Sequence, residues 1–156
     1  MKIRKATIED LKAVQDLSFK LFKNDESWVS HLRMDWTFED EGIKYFTSRL
    51  NGKEGIAYVA EDNNRIVGYI TGDMKKDVSW RSVRIAELEN IFIEEESRHK
   101  NMGKKLFGEF RIWAREQEAQ KLMVSASYPN TSAIEFYKSV GFEPYSLELE
   151  MGMEGE

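Results

Sequence analysis

The chain has 156 residues, 41% hydrophobic and 33% charged, with a formal net charge of −5, two histidines and no cysteine. That length supports one domain with one substantial core. The acidic balance speaks against a nucleic-acid partner, the missing cysteines exclude disulfides, Cys2His2 zinc and an acyl-cysteine intermediate, and no apolar run approaches the roughly 20 residues of a membrane span.

His31 and His99 alone offer imidazoles, so a Ser-His-Asp centre is poorly supplied. The opening MKIRKATIEDL has no apolar signal core. The expectation is a cytoplasmic protein without a metal site. No internal repeat, low-complexity tract or linker interrupts the chain, and its only prolines are Pro129 and Pro144.

In chain order, Ile3–Lys5 reads as a short strand. Thr7 then caps a helix, with Asp10 three positions on as an imperfect capping box. Leu11, Val14, Leu17, Ser18 and Leu21 give that helix an apolar stripe. Residues 24–40 are irregular and rich in Trp, Asp and Glu, and a second helix covers Glu39–Leu50. In GIAYVAEDNNRIVGYITGDM, two β-rich runs flank Asp62-Asn63-Asn64, residues that tolerate the positive φ of a tight hairpin turn.

Arg84–Ile93 is a further strand, and Met102–Glu118 a helix with Met102, Leu106, Phe110 and Trp113 on one face. Leu122–Ala126 reads as a strand and Asn130–Val140 as a helix, with Gly141 suited to the left-handed position after it. Phe142–Leu149 is the expected closing strand. The domain then spans residues 1–150, and 151–156 form a disordered tail. The order β-α-α-β-β-β-α-β-α-β makes a mixed α/β domain.

The stretch SRHKNMGKKLF at residues 97–107 has the character of an anion loop. Helix N-termini present unpaired N–H groups and a partial positive charge. Gly103 sits in the first helical turn, with Arg98, Lys100, Lys104 and Lys105 around it. Asn101 stands where a first glycine would, and asparagine is the next best residue at positive φ. A nucleotide-kinase loop is excluded, because Gly103-Lys104 is followed by Lys105 rather than Ser or Thr. A charged helix start with a chance glycine is the plain alternative.

The surroundings of the loop sharpen this. The segments IRKATIEDL, YVAEDNNRIVGYI, LENIFIEEESRHKNMGKKLF and NTSAIEFYKSVGF follow one another in this order. Together they resemble the GNAT N-acetyltransferases over nearly the whole chain. The resemblance implies a single domain with a mixed, mostly antiparallel sheet flanked by helices, acetyl-CoA as co-substrate, and direct transfer to an amine. It assigns Arg98, His99, Lys100, Asn101, Met102, Gly103 and Lys104 to the pyrophosphate, and Ile91, Phe92 and Ile93 to the pantetheine arm. It assigns Asn130 to the neighbourhood of the thiol and Tyr137 to the general acid. Asn101 departs from the family's first glycine.

The proton acceptor is less defined. A lysine-like amine near pKa 10.4 and a glutamate near 4.3 differ by about six units, roughly 8 kcal/mol against direct transfer. A useful glutamate acts through water or from a desolvated position. Leu88-Glu89-Asn90 resembles the Leu-Glu-Asp of diamine acetyltransferases, which implies Glu89 as base, with Glu87 beside it; a solvated strand charge is the alternative. Alanine acetyltransferases of ribosomal proteins place their glutamate on the next strand, where this chain has Ser125 or a neighbour. The backbone N–H of Ile91 or Phe92 is the expected oxyanion donor.

Asp25, Glu26, Asp35, Glu39, Asp40 and Glu41, interleaved with Trp28, Trp36 and Phe38, suit a cationic small-molecule or peptide amine. They equally suit a solvated loop with aromatic anchors in the core. Trp80 and Trp113 read as packing or rim residues. Proteins of this kind are commonly dimers, so a homodimer is implied, although no residue here marks an interface. A GNAT-fold module that binds acetyl-CoA without turnover is the competing reading.

Overall fold

The structure, a computed structural model, describes residues 1–154, with His99 described by its backbone alone. Its elements in chain order are β1 (Lys2–Lys5), α1 (Leu11–Asp25), α2 (Asp40–Leu50), β2 (Ile56–Asp62), β3 (Arg65–Met74), β4 (Ile85–Ile93), α3 (Met102–Glu116), β5 (Lys121–Val124) and α4 (Thr131–Ser139). Short 3-10 turns occupy Ile8–Asp10, Trp36–Phe38 and Glu95–Lys100.

The five strands form one sheet in the order β1-β2-β3-β4-β5. Neighbours are antiparallel except β4 and β5, which run parallel and are joined by the α3 crossover. Strand side chains alternate between faces, and the sequence uses both. Val59, Tyr69 and Phe92 face α1 and α2, where they pack with Val14, Leu17, Phe46 and Leu50. Ala60, Ile70 and Leu88 face the other way, against Met102, Leu106 and Phe110 of α3. The β2–β3 turn forms at Asn63 and Asn64, with φ of 50° and 62°, the primed geometry that matches strand twist.

The helix expected from Thr7 starts as a 3-10 turn, and α1 proper begins at Leu11. Asp10 accounts for the difference. Its carboxylate accepts the Thr7 N–H at 2.8 Å and two hydrogen bonds from Arg4, each 2.8 Å. The Arg4 guanidinium holds that carboxyl below the usual carboxylate range.

The closing strand expected over Phe142–Leu149 does not form: no strand follows α4 among the described residues. Pro144 has no N–H to give to a ladder. Tyr145 is instead held by the Arg81 guanidinium, 4.8 Å from its ring centre. Residues 151–154 are exposed and carry no regular structure, and residues 155–156 of the expected tail lie outside the described residues.

Candidate active site

The site begins with a fault in the sheet. Thr71 of β3 pairs with Asn90 of β4, but the next residue, Gly72, pairs with Leu88. Glu89 is the extra residue of a β-bulge. A bulge breaks the alternation of faces, so Glu89 and Asn90 both turn towards α2. Gly72 is required at this crossing, because a Cβ there would lie 2.3 Å from the Phe110 ring and 2.5 Å from the Glu87 carbonyl.

Glu89 enters a network that the sequence reading did not foresee. Its carboxylate accepts hydrogen bonds from Arg49 Nε at 2.7 Å, Arg49 Nη2 at 2.9 Å and Tyr45 Oη at 2.9 Å. Asn90 Nδ2 donates to Tyr45 Oη at 3.0 Å and to Thr71 Oγ1 at 3.2 Å. Arg49 is buried, lies 4.6 Å from the Tyr45 ring centre and is 3.7 Å from Asp73. Burial pulls the Arg49 guanidinium down, but the Glu89 hydrogen bonds and field more than offset it. Burial, reinforced by the Glu89 charge, pushes the Tyr45 phenol well up. An open cleft of about 420 Å³ adjoins the network, lined by Glu41, Lys44, Tyr45, Ser48, Arg49 and Glu54. Glu87, the other carboxylate considered, is occupied by Lys75 at 2.7 Å.

The signal for Arg49 was present in α2. Gly42, Tyr45, Phe46, Arg49 and Leu50 recur at the spacing of one buried face. A charged residue on such a face needs a buried partner of opposite sign.

Beyond the bulge the sheet opens. The parallel pairing of β4 and β5 ends at Leu88 and Val124, while β3 continues beside β4 as far as Ile93. The β4 backbone from Glu89 to Ile93 therefore has a partner strand on one side only. Ile91, Phe92 and Ile93 all lie on this stretch. The Ile93 carbonyl accepts from Arg98 Nε at 2.9 Å, and the Arg98 guanidinium lies 5.6 Å from the Phe92 ring centre.

The start of α3 stands beside this open edge. Asn101 adopts the left-handed conformation, φ 57° and ψ 20°, that its residue type suggested. Its side chain makes no capping bond. The first helical bond runs from the Lys105 N–H to the Asn101 carbonyl at 3.1 Å. The N–H groups of Met102, Gly103 and Lys104 precede it, in the first turn where a helix leaves its N–H groups without intrahelical partners. Gly103 also lets elements approach: a Cβ there would stand 3.0 Å from the Phe136 ring of α4 and 3.5 Å from Ile93 Cδ1. Arg98, Asn101 and Lys104 are exposed, whereas Met102 is fully buried in the core. Lys100 is turned to the β2–β3 hairpin, where its ammonium is 2.8 Å from Asp62. The side chain of His99 lies outside the described residues.

α4 closes the open end. Asn130 is its N-cap, its Oδ1 accepting the Ala133 N–H at 3.2 Å. Tyr137 is half-buried, 5.6 Å from the Phe136 ring and 5.8 Å from that of Phe142. Burial pushes its phenol up to about 12, and the charge of Asp25 adds to this. Asp25 ends α1 and accepts a hydrogen bond from Trp28 Nε1 at 3.3 Å. Its carboxyl is raised by partial burial. Trp36, in contrast, is an anchor, stacked on Phe22 at 6.1 Å and edge-on to Phe46 at 6.4 Å. Glu39 is paired with Arg33.

Among the described residues no helix is long and apolar enough to cross a membrane. No cluster of three or more metal-ligating side chains occurs among them.

The profile of the acetyltransferase (GNAT) family matches residues 20–142. An uncharacterized N-acetyltransferase of Methanocaldococcus jannaschii, MJ1207, is 26% identical over 141 residues, 90% of this chain. The chain spans 60% of that relative's length. A point mutant of the BH1408 protein from Bacillus halodurans superposes with a TM-score of 0.82 at 17% identity, over 98% of this chain and 99% of its own. The aminoglycoside N-acetyltransferase AAC(6')-Iy, solved with CoA, gives 0.72 at 16% identity, over 99% of this chain and 95% of its own. At these identities the two structures speak for the fold alone.

Proposed function

The chain belongs to the acetyltransferase (GNAT) family, and on that premise we propose that it moves an acetyl group from acetyl-CoA to a primary amine by direct transfer. The observation that carries this reading is the gap between β4 and β5 beyond Leu88, bounded by the first-turn N–H groups of α3. An open strand edge suits the amides of a pantetheine arm. A helix N-terminus suits a pyrophosphate. Met102, Gly103 and Lys104 supply the donors, and Arg98 and Lys104 supply charge.

The amine attacks the thioester carbon, the carbonyl oxygen takes negative charge, and the C–S bond breaks. The Ile91 or Phe92 N–H on the open edge receives the oxyanion. Glu89, already carrying three donors, orients the amine and accepts its proton through one water. Tyr137 donates a hydrogen bond to the departing sulfur. With its phenol near 12 and a thiol near 8.5, full proton transfer is uphill by about 5 kcal/mol. The thiolate is therefore stabilised by Tyr137 and protonated from solvent after release.

The acceptor we infer is a cationic small molecule or a peptide amine. Asp25, with Trp28, lies close enough for its charge to act on Tyr137. One observation favours a second reading, a module that binds acetyl-CoA without turnover: Arg49 occupies both oxygens of Glu89.

The test is CoA-thiol release from acetyl-CoA across a panel of amines, beside the acetyl-CoA-induced rise in melting temperature. Release with one class of amine supports the enzyme. A thermal shift without release supports the binding module, and no shift at saturating acetyl-CoA refutes both. Tyr137→Phe should lower kcat about ten- to a hundredfold, the worth of one hydrogen bond to a charged group, with acetyl-CoA binding little changed. Unchanged kcat removes Tyr137 from the mechanism.

A further inference from the structure

We propose that Glu94 is a positioning residue for cofactor binding. It fastens the turn that leads into α3 to both α1 and β3, and so fixes the Met102, Gly103 and Lys104 N–H groups before a pyrophosphate arrives. This rests on the acetyl-CoA reading above and adds to it a residue that touches neither the cofactor nor the amine.

Glu94 stands between the end of β4 at Ile93 and the 3-10 turn Glu95–Lys100. Its side chain is only 9% exposed, a burial that glutamate accepts when it is paired. Each of its polar groups is engaged. The N–H donates to the Val67 carbonyl of β3 at 2.9 Å, and the carbonyl accepts the Ser97 N–H at 2.8 Å. One carboxylate oxygen accepts from Lys20 Nζ of α1 at 2.5 Å, the other from Arg65 Nη1 of β3 at 2.5 Å. Burial works to raise this carboxyl, but the two cations outweigh it and hold it below the usual carboxylate range.

The far end of the turn is tied as well. Lys100 reaches Asp62 at 2.8 Å, and Asp62 and Arg65 flank the Asn63-Asn64 turn of the β2–β3 hairpin. Within the turn, Arg98 Nε closes back on the Ile93 carbonyl at 2.9 Å. The segment from Glu94 to Lys100 is thus held at both ends by one hairpin, and α3 starts where it stops. A surface loop is ordinarily mobile. Backbone donors bind an anion more tightly when no ordering is left to the binding step. Glu94 cannot assist through its charge, because a carboxylate beside a phosphate site repels the phosphate. Position and field therefore predict opposite signs for the loss of that charge.

Calorimetric titration of the natural chain and of Glu94→Gln with acetyl-CoA separates the two. The Glu94→Gln dissociation constant should rise about tenfold, although a negative charge near the pyrophosphate has been removed. In steady state the acetyl-CoA KM should rise in step, with kcat at saturation changing far less and the amine KM unmoved. An unchanged or tighter constant beside a natural chain that binds overturns the positioning role alone, as does a fall in kcat without a rise in KM. No binding by the natural chain overturns the acetyl-CoA reading itself. Glu94→Asp guards against a misfolded Gln variant. It keeps the charge but is one methylene too short to meet both cations, so its constant should rise about threefold; a constant equal to that of the natural chain overturns the proposal.

Discussion

Arg49→Met should destabilise the fold far beyond what loss of one charge pair on a surface would cost. The Arg49 and Glu89 side chains are 9% and 20% exposed, and the guanidinium grips the carboxylate through two bonds of 2.7 and 2.9 Å. Methionine keeps much of the packing volume but leaves Glu89 as a partly buried carboxylate with only Tyr45 as donor. Breaking such a pair from one side costs about 3 kcal/mol. For a domain of this size that lowers Tm by roughly 6–12 °C. Urea unfolding of Arg49→Met, Glu89→Gln and the double variant then measures the coupling directly. We expect the double variant to recover about 2 kcal/mol of the summed single losses. A cost for Arg49→Met under about 0.5 kcal/mol, the range of surface substitutions, refutes the buried network. So do single losses that simply add.

Asn101→Gly should leave stability within about 0.5 kcal/mol, since glycine relieves the left-handed backbone but gives up chain entropy. Acetyl-CoA should bind equally or more tightly by calorimetry, and a marked loss would show that the Asn101 side chain has a ligand. Asp10 supplies a pH dependence. Its folded pKa is depressed, chiefly by Arg4, so its contribution is complete above the unfolded value near 3.9 and disappears as pH falls through the folded value. Asp10→Asn should therefore cost about 1–3 kcal/mol at pH 7. The gap from the natural chain should be full down to about pH 4 and narrow only as pH falls further through the depressed folded value; a gap that does not narrow in that acid range refutes the linkage.

The legible parts of this chain are those where one residue decides its own backbone. Asn63, Asn64 and Asn101 all take the positive φ that asparagine tolerates, and Gly141 takes φ 111° after α4. The three central strands and α1, α2 and α3 followed from periodicity because each buries one face or two. The bulge at Glu89 was not legible, because it is set by the register of β3 against β4 rather than by β4 itself. That fault decides that Glu89 and Asn90 share a face. Arg49 was overlooked because its partner lies 40 positions away, although a charge on a buried helix face announces one. The strand expected over Phe142–Leu149 reads as a strand because Tyr145, Leu147 and Leu149 alternate with polar residues, but Pro144 has no N–H to give to a ladder.

We propose that acetyl-CoA lies along the open edge of β4 with its pyrophosphate at the start of α3. Backbone amide shifts in a titration of the labelled chain with acetyl-CoA test it most directly. Saturable shifts should concentrate at Ile91, Phe92 and Ile93 and at Met102, Gly103 and Lys104. Shifts centred on other residues, or none at millimolar acetyl-CoA, would contradict it.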